Sequence, residues 1–585
     1  MFVPHTKHNQ PSLFDAVNQM SPIMRSRLEC SWAEVFYREI FCKIDESIFQ
    51  ELYSKEYSRP NTPVNILVGA DLLKSWFRWT DAELFEQCAF NIQVRYALGE
   101  RSFEGELFSE RTLYYFRSAL SEHMQQTGVN LMEEVFKSLT DEQLERFELK
   151  SGVQRMDSTL VGSNIRSYSR IGLLVEVIAR FYRELSAEDQ RVYESKFKGY
   201  VSYSSTQFCY RLSADQLSET LAEIGQFLHW IVKNFSVDYK DSTGYRLIRR
   251  VFEEHFQLID SDGKSEAAIV VKSPDEMGSD TLQSPDDEDA SYRSKRGEAH
   301  RGYAVNASET CDEANPIQLL TDVAVASNNT DDSQFFKERI PEIVERMELD
   351  TALTDGAYGS EAADKFCEEK GIDHIQSGIR GRKPDEEKLH LSDFTFERKE
   401  DREVATCPNG KQTQVMAGRT EERRIAYFQP GVCQDCPLLE KCPTKYRKRD
   451  GGRTLHFTKA GQRKAQRRQH CNAYLESGKN PRAAVEGTMR QFKHFLPYGK
   501  LPVRGKYRVA QYVLATAIMI NFSRMATILK DSYTHNLINF MCNIVLCPIN
   551  PILSVYETIK ALKPSLNDLP AQLSRRAKSR RLFAA

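Results

Sequence analysis

Between Gly152 and Ile379 the chain carries an ordered succession of short apolar runs and helical patterns, and that succession constrains the fold most. Gly152–Gly162 can be read as a strand. Arg301–Thr310 and Ile317–Ala326 read as a strand pair, Asp331–Met347 as a helix and Leu349–Thr354 as a strand. Ser360–Lys370 is again helical and Asp373–Ile379 a short strand. The order predicts an α/β core. About 130 residues interrupt it after the first strand, with helical patterns at Ile171–Leu185 and Ala214–Phe235, the second opened by a Ser213-x-x-Gln216 capping box. The Ser/Asp/Pro-rich stretch Asp260–Asp289 then reads as a flexible linker.

Three carboxylates fall at informative places along this pattern. Asp157 lies within the first run, and Asp355 ends Leu349–Thr354, where Gly356 can turn the chain sharply. Glu486 lies in Asn480–Lys493, a helix with Asn480 as N-cap and Pro481 at its first position. Arg482, Glu486, Arg490 and Lys493 fall at i, i+4, i+8 and i+11, within about an 80° arc. The bland reading is an exposed helix with ion pairs at helical spacing. The sharper one is a metal ligand flanked by phosphate clamps. Two aspartates at strand ends and a glutamate on a facing helix suit a pair of Mg²⁺ or Mn²⁺ ions about 3.5–4 Å apart, because these hard cations take oxygen ligands.

On these residues the chain resembles the transposases of bacterial insertion sequences that carry an Asp-Asp-Glu triad on an RNase H-like fold. The resemblance implies a mixed five-stranded sheet with helices, interrupted by insertions and preceded by an all-α domain. It also assigns Gly152–Gly162 to the first strand, whose own alternation is weak. The implied site is catalytic Asp157, Asp355 and Glu486, with Arg482, Arg490, Lys493 and Lys479 on DNA. Hairpin-forming members carry a Tyr–Arg–Glu–Lys signature on this helix; Arg482, Glu486 and Lys493 match it, and Lys479 stands at the tyrosine position. Lysine offers a phosphate contact and no ring for base stacking. The implied partners are terminal inverted repeats and target DNA, handled by a homodimer in the active complex. The rival readings are a non-catalytic DNA-binding descendant and a nuclease on the same fold that cuts without joining.

The formal net charge of −2 looks unsuited to DNA, but charge is segregated. Lys441–Arg508 holds nineteen Lys and Arg against three acids, and Arg575–Arg581 adds a second basic cluster. No signal peptide or span for a bilayer is visible, which places the protein in the cytoplasm, away from membranes. Thirteen cysteines without an export signal favour thiols or a metal site over disulfides. Cys433-x-x-Cys436 with Cys442 and Cys407 can form a tetrahedral site whose default occupant is structural Zn²⁺. The alternative is a small loop-rich subdomain with reduced thiols. No P-loop or dinucleotide fingerprint is present, so ATP- or NAD-driven chemistry is not indicated.

The resulting map is an arm over 1–30, a helical end-binding domain over 31–150, and the core over 151–400. The core holds the helical insertion at about 165–259 and the linker at about 260–291. A Cys-rich basic insertion covers 401–478, the Glu486 helix and a closing helix 479–530, and a tail 531–585. Within the helical domain, Thr62-Pro63 reads as a cap for Val64–Trp79, and Thr80–Glu83 and Thr140–Gln143 as capping boxes. Ser109 starts a further helix, and the aromatic residues of this domain read as core.

Overall fold

The computed structural model describes residues 1–6, 15–56, 59–102, 105–259, 268–295, 297–379, 385, 387–399, 402–476, 483–494, 496 and 499–545. Two units are distinguished, Met1–Arg524 and Met525–Ala585. All residues discussed below as part of a site lie in the first.

The N-terminal region is helical: α1 (Pro22–Glu29), α2 (Trp32–Glu39), α3 (Val64–Phe77), α4 (Asp81–Phe90), α5 (Ile92–Ala97), α6 (Glu110–Thr127) and α7 (Leu131–Arg146). The expected arm is part of this body, since α1 occupies it and the His5 amide donates to Glu46 Oε1 at 2.7 Å. Thr80 and Glu83 form the expected capping box, and Ser109 caps α6. Thr62 does not cap α3. Glu46 supplies the oxygen instead, accepting the Val64 amide at 2.8 Å from across the domain. Nor does Thr140 start a helix. Asn130 caps α7, and the apolar positions Leu131, Val135, Phe136 and Leu139 carry it past Thr140, which is buried with Gln143.

The strand β1 (Val153–Gly162) leads into the insertion, α8 (Arg170–Glu184), α9 (Ala187–Val201), α10 (Ser205–Tyr210), α11 (Leu217–Asn234) and α12 (Thr243–His255). Phe181, Phe197, Ile224, Leu228 and Val251 belong to the buried apolar interior of this bundle. A hairpin of β2 (Phe256–Ile259) and β3 (Ala268–Val271) follows. The expected linker is therefore not a linker over its described part. Leu282 is buried in the bundle core. Asp287 is buried and accepts from Ser163 Oγ, from Tyr303 Oη at 2.6 Å and from the Gly505 amide at 3.2 Å. Asp289 accepts the Lys506 amide at 2.9 Å. Acidic composition reads as disorder in isolation, whereas here the acids cap a helix and pin the insertion to the sheet.

The core then resumes with β4 (Ser291–Lys295), β5 (Glu298–Thr310), β6 (Leu320–Ser327), α13 (Asp332–Arg346), β7 (Thr351–Thr354), α14 (Glu361–Lys370) and β8 (Asp373–Gln376). The sheet runs β4-β5-β1-β7-β8 with β6 also on β5, six strands rather than the expected five. The extra strand is β4, a hairpin partner for the first part of β5. β1 is antiparallel to β5 and parallel to β7, and β7 is parallel to β8, the mixed order expected of an RNase H-like core. Phe335, Phe336, Ile340 and Ile343 of α13 and Ala363 and Cys367 of α14 cover one face, around Met156 and Ala352.

The Cys-rich basic insertion expected over 401–478 carries a second six-stranded sheet that already begins at Thr395, order β13-β14-β12-β11-β10-β9, and not the small loop-rich subdomain of the alternative reading. Its strands are β9 (Thr395–Lys399), β10 (Arg402–Thr406), β11 (Gln412–Ala417), β12 (Arg423–Phe428), β13 (Lys445–Tyr446) and β14 (Arg453–Thr458), all antiparallel. Charge-rich strands with so few apolar residues give a faint period-2 signal; among the described residues the buried core is Phe394, Ala405, Val415, Ala426, Phe428, Leu455 and Phe457. The helices α15 (Lys459–Glu476), α16 (Ala483–His494) and α17 (Lys506–Val545) close the fold. By length and composition alone α17 could cross a bilayer. Its first half is instead a core helix, with Val513, Leu514 and Ile518 buried and Asn521 hydrogen-bonded to both backbone groups of Leu320 at 2.8 and 2.9 Å.

Candidate active site

Register builds the site. On the parallel pair β1–β7, Arg155 stands beside Leu353. Asp157 and Asp355 each lie two residues further on: Asp355 stands just beyond the end of β7, whereas Asp157 lies inside β1, paired with Ala307 of β5, and not at the strand end expected of it. The carboxyl end of β7, where Asp355 lies, is where α/β sheets present ligand-binding groups. Both residues are half-buried. Asp157 Oδ1 accepts the Ser158 amide at 2.9 Å, and Asp355 Oδ1 accepts the Ala357 amide at 2.7 Å. Gly356 lies in the turn expected of it, closed by the Tyr358 amide donating to the Asp355 carbonyl at 3.3 Å, and it also serves a second purpose. A Cβ there would lie 2.3 Å from the Gly378 carbonyl oxygen, so only glycine lets the loop after β8 pass beside Asp355.

The neighbouring groups are ones the sequence pattern did not single out. Tyr358 is buried and donates to Asn306 Oδ1 at 2.8 Å, while Ser158 Oγ donates to Asp332 Oδ1 at 2.5 Å. Burial pushes the Tyr358 phenol well above its usual range, and the carboxylates of Asp332, Asp157 and Asp355 push it the same way. The phenol is thus a fixed neutral donor that marks where these acids meet. Asn306 is fully buried opposite Ser158 on β5, and its Nδ2 has no hydrogen-bond partner. The only advance signal was the placement of Tyr358 three residues after Asp355.

Glu486 lies in the first turn of α16, a helix that packs across β1. Val485, Met489 and Phe492 face inward, leaving Glu486, Arg490 and Lys493 exposed together. A carboxylate near a helix N-terminus is favoured by the helix dipole. Lys479 and Arg482, like the cap residues Asn480 and Pro481, lie outside the described residues, as does the basic cluster Arg575–Arg581.

A second group of acids has metal-like spacing. Glu133, Asp322 and Glu342 each bring an oxygen within 4.8 Å of the others, close enough to hold a divalent cation by geometry alone. Cations of the protein already fill that space. Arg339 bonds Asp322 at 2.6 Å, Glu133 at 2.7 Å and Glu342 at 3.1 Å, and Lys137 reaches Glu133 at 3.0 Å and Glu342 at 3.4 Å. Burial opposes charge on Glu133, but Arg339 and Lys137 hold it below the usual carboxylate range. The cluster joins α7 to β6 and α13 as a structural ion network.

The four cysteines converge at one end of the second sheet. Cys407, Cys433, Cys436 and Cys442 line a cavity of about 20 Å³ otherwise walled by groups such as Phe394, Phe428 and Leu439. Burial pushes the Cys433 thiol up, and Cys442, Cys407 and Cys436 act on it in the same direction. All four are free thiols. No three of their sulfurs lie within 4.8 Å of one another, so the four together are not at the expected tetrahedral spacing of about 3.5–4 Å. The donor set suits Zn²⁺, and the ligands would have to draw in around it.

Residues 406–526 match the family model of a transposase DDE domain, and residues 27–119 match that of a transposase domain. The first span contains Glu486 and the four cysteines, while Asp157 and Asp355 precede it. No curated protein and no solved structure matched the chain.

Proposed function

We propose that this chain, a transposase of the DDE type whose chemistry is metal-dependent DNA cleavage and strand transfer, performs it with Asp157, Asp355 and Glu486. The observation that carries the assignment is the equivalent position of the two aspartates, each two residues beyond the Arg155–Leu353 pair of adjacent parallel strands, with the Glu486 helix packed across the first of them. Their oxygens fit hard divalent cations. When bound there, two Mg²⁺ or Mn²⁺ ions supply Lewis-acid activation of the attacking oxygen and charge relief at the leaving 3′-oxygen.

The chain's own residues do the rest. The Ser158 and Ala357 amides orient the aspartates. Arg490 and Lys493 hold backbone phosphates beside Glu486, an interaction that positions DNA without reading its sequence. Lys479 and Arg482 extend that clamp. The terminal inverted repeats of an insertion sequence are the specific substrate, the 27–119 domain reads them, and a homodimer pairs the two ends. Zn²⁺ at Cys407, Cys433, Cys436 and Cys442 would brace the second sheet just ahead of α15 and α16.

The test uses DNA carrying the sequences that flank the gene, with and without a pre-cleaved 3′ end. Wild-type protein should cleave the first and join the second to target DNA in Mg²⁺. Asp157→Ala, Asp355→Ala and Glu486→Ala should each abolish both while retaining DNA binding. Full activity in any of the three would overturn the assignment. Cleavage without joining would indicate a nuclease.

A further inference from the structure

Behind Asp157 lies a buried ion triad with no part in the chemistry above. Arg155 precedes Asp157 by two residues on β1, so both project from the same face. Opposite Arg155 on β5 stands Glu309, whose side chain is fully buried. Arg155 Nε donates to Glu309 Oε1 at 2.7 Å. Oε2 accepts from Arg524 Nη1 at 2.7 Å and from Thr488 Oγ1 at 2.8 Å. Arg524 also donates to Thr488 Oγ1 at 2.6 Å, Gln491 Oε1 at 3.2 Å and the Gln318 carbonyl at 2.8 Å. One carboxylate thereby ties together β1, β5, α16 and α17.

Such a network is a poor way to gain stability, because desolvation of buried charges offsets most of their attraction, and packed apolar groups often serve as well. What it does supply is direction. Thr488 lies two residues after Glu486, so its hydroxyl reports both the rotation and the height of α16 over the sheet. A slip of one residue would move the helix by about 1.5 Å and turn it by about 100°. Apolar contacts at Val485, Met489 and Phe492 keep one side of the helix inward, but they lack the directionality by which a hydrogen bond fixes its exact height and rotation.

We propose that the Glu309–Thr488 hydrogen bond, held from either side by Arg155 and Arg524, is the positioning device that sets the register of α16 and so places Glu486 over Asp157. Thr488 and Glu309 are positioning residues, acting through Glu486. The proposal rests on the reading of Glu486 as the third metal ligand. Misplacement of a reacting group by about 1 Å can cost about a hundredfold in rate, so a modest lesion in this network should be visible.

The experiment uses the full chain, supercoiled plasmid as the nicking substrate and Mn²⁺ as the varied ion. Thr488→Val keeps the shape and removes the hydroxyl; Thr488→Ser restores it. Thr488→Val should raise the Mn²⁺ concentration for half-maximal nicking about tenfold and lower the maximal rate, with plasmid binding in EDTA unchanged. Thr488→Ser should recover both. Mn²⁺ binding followed by electron paramagnetic resonance, without DNA, should show the same weakening. If Thr488→Val lowers the unfolding temperature markedly, Gln491→Leu carries the test, with a shift of about two- to threefold in the same direction. Unchanged Mn²⁺ dependence in the folded variants would overturn the proposal. A fully active Glu486→Ala would instead overturn the underlying reading, whereas an inactive Glu486→Ala beside a normal Thr488→Val would sink the positioning role alone.

Discussion

Two groups of carboxylates in this protein look alike in a count of acids and differ in what holds them. Glu133, Asp322 and Glu342 meet around Arg339 and Lys137, which complete their charge from within the chain. Asp157 lies within β1 and Asp355 just beyond the parallel strand β7, each accepting from a backbone amide near the buried Tyr358 phenol. A backbone amide orients a carboxylate through a neutral dipole, whereas a guanidinium set among acids meets their charge from within the chain. Proximity of acids alone therefore does not identify a metal site, and the partners decide.

The largest effect should come from exchanging the roles of the two groups by mutation. Loss of any of Asp157, Asp355 or Glu486 removes metal-derived stabilisation worth several kcal/mol, about a thousandfold or more in cleavage rate. Asp322→Asn should leave the Mn²⁺ dependence of plasmid nicking at its wild-type value. A shift in that dependence would make the Arg339 cluster a metal site after all and erase the contrast.

The thiol cluster adds a third case, in which soft ligands face a cavity. Protein purified without chelator should carry one zinc per chain by elemental analysis, and stripping it should lower the unfolding temperature of the second sheet. Absence of zinc with unchanged stability would leave the cysteines as core thiols. Cys433→Ser should mimic chelation.

Arg339→Ala should cost about 3–5 kcal/mol of stability, because it strands buried Asp322 without its partner. Denaturant unfolding measures this, and a loss below about 1 kcal/mol would class the cluster with ordinary surface pairs.

The smallest effect concerns pH. Burial holds His374 neutral, its pKa pushed down to about 3, and does the same for His255, at about 4. Both lie below the unfolded value, so the unfolded chain takes up protons first and stability falls as pH drops below about 6.5. By pH 5 each should have removed about 2 kcal/mol. His374→Gln, which can keep a bond to Thr354 Oγ1, should flatten part of that slope. An unchanged slope would mean that this histidine does not titrate on unfolding.

Much was legible in the sequence because it is local. Short apolar runs and a capped helix announced β5, β6, α13, β7, α14 and β8 within a few residues of their observed limits. The acidic motifs fell on elements whose order implied where they would meet. Local signals also misled: Thr140–Gln143 has the letters of a capping box in the middle of α7, and the acidic 268–291 stretch has the composition of a linker while packing as a strap.

Pairings between distant residues were beyond reach, since no period or composition links them. Glu46 caps a helix eighteen residues away. Glu309 gathers Arg155, Thr488 and Arg524 from across the chain. The sequence by itself determined which side chains could ligate a metal and which elements would carry them. Tertiary structure decided which acids had their charge met by a neighbouring cation, because that depends on which strands and helices come to lie side by side.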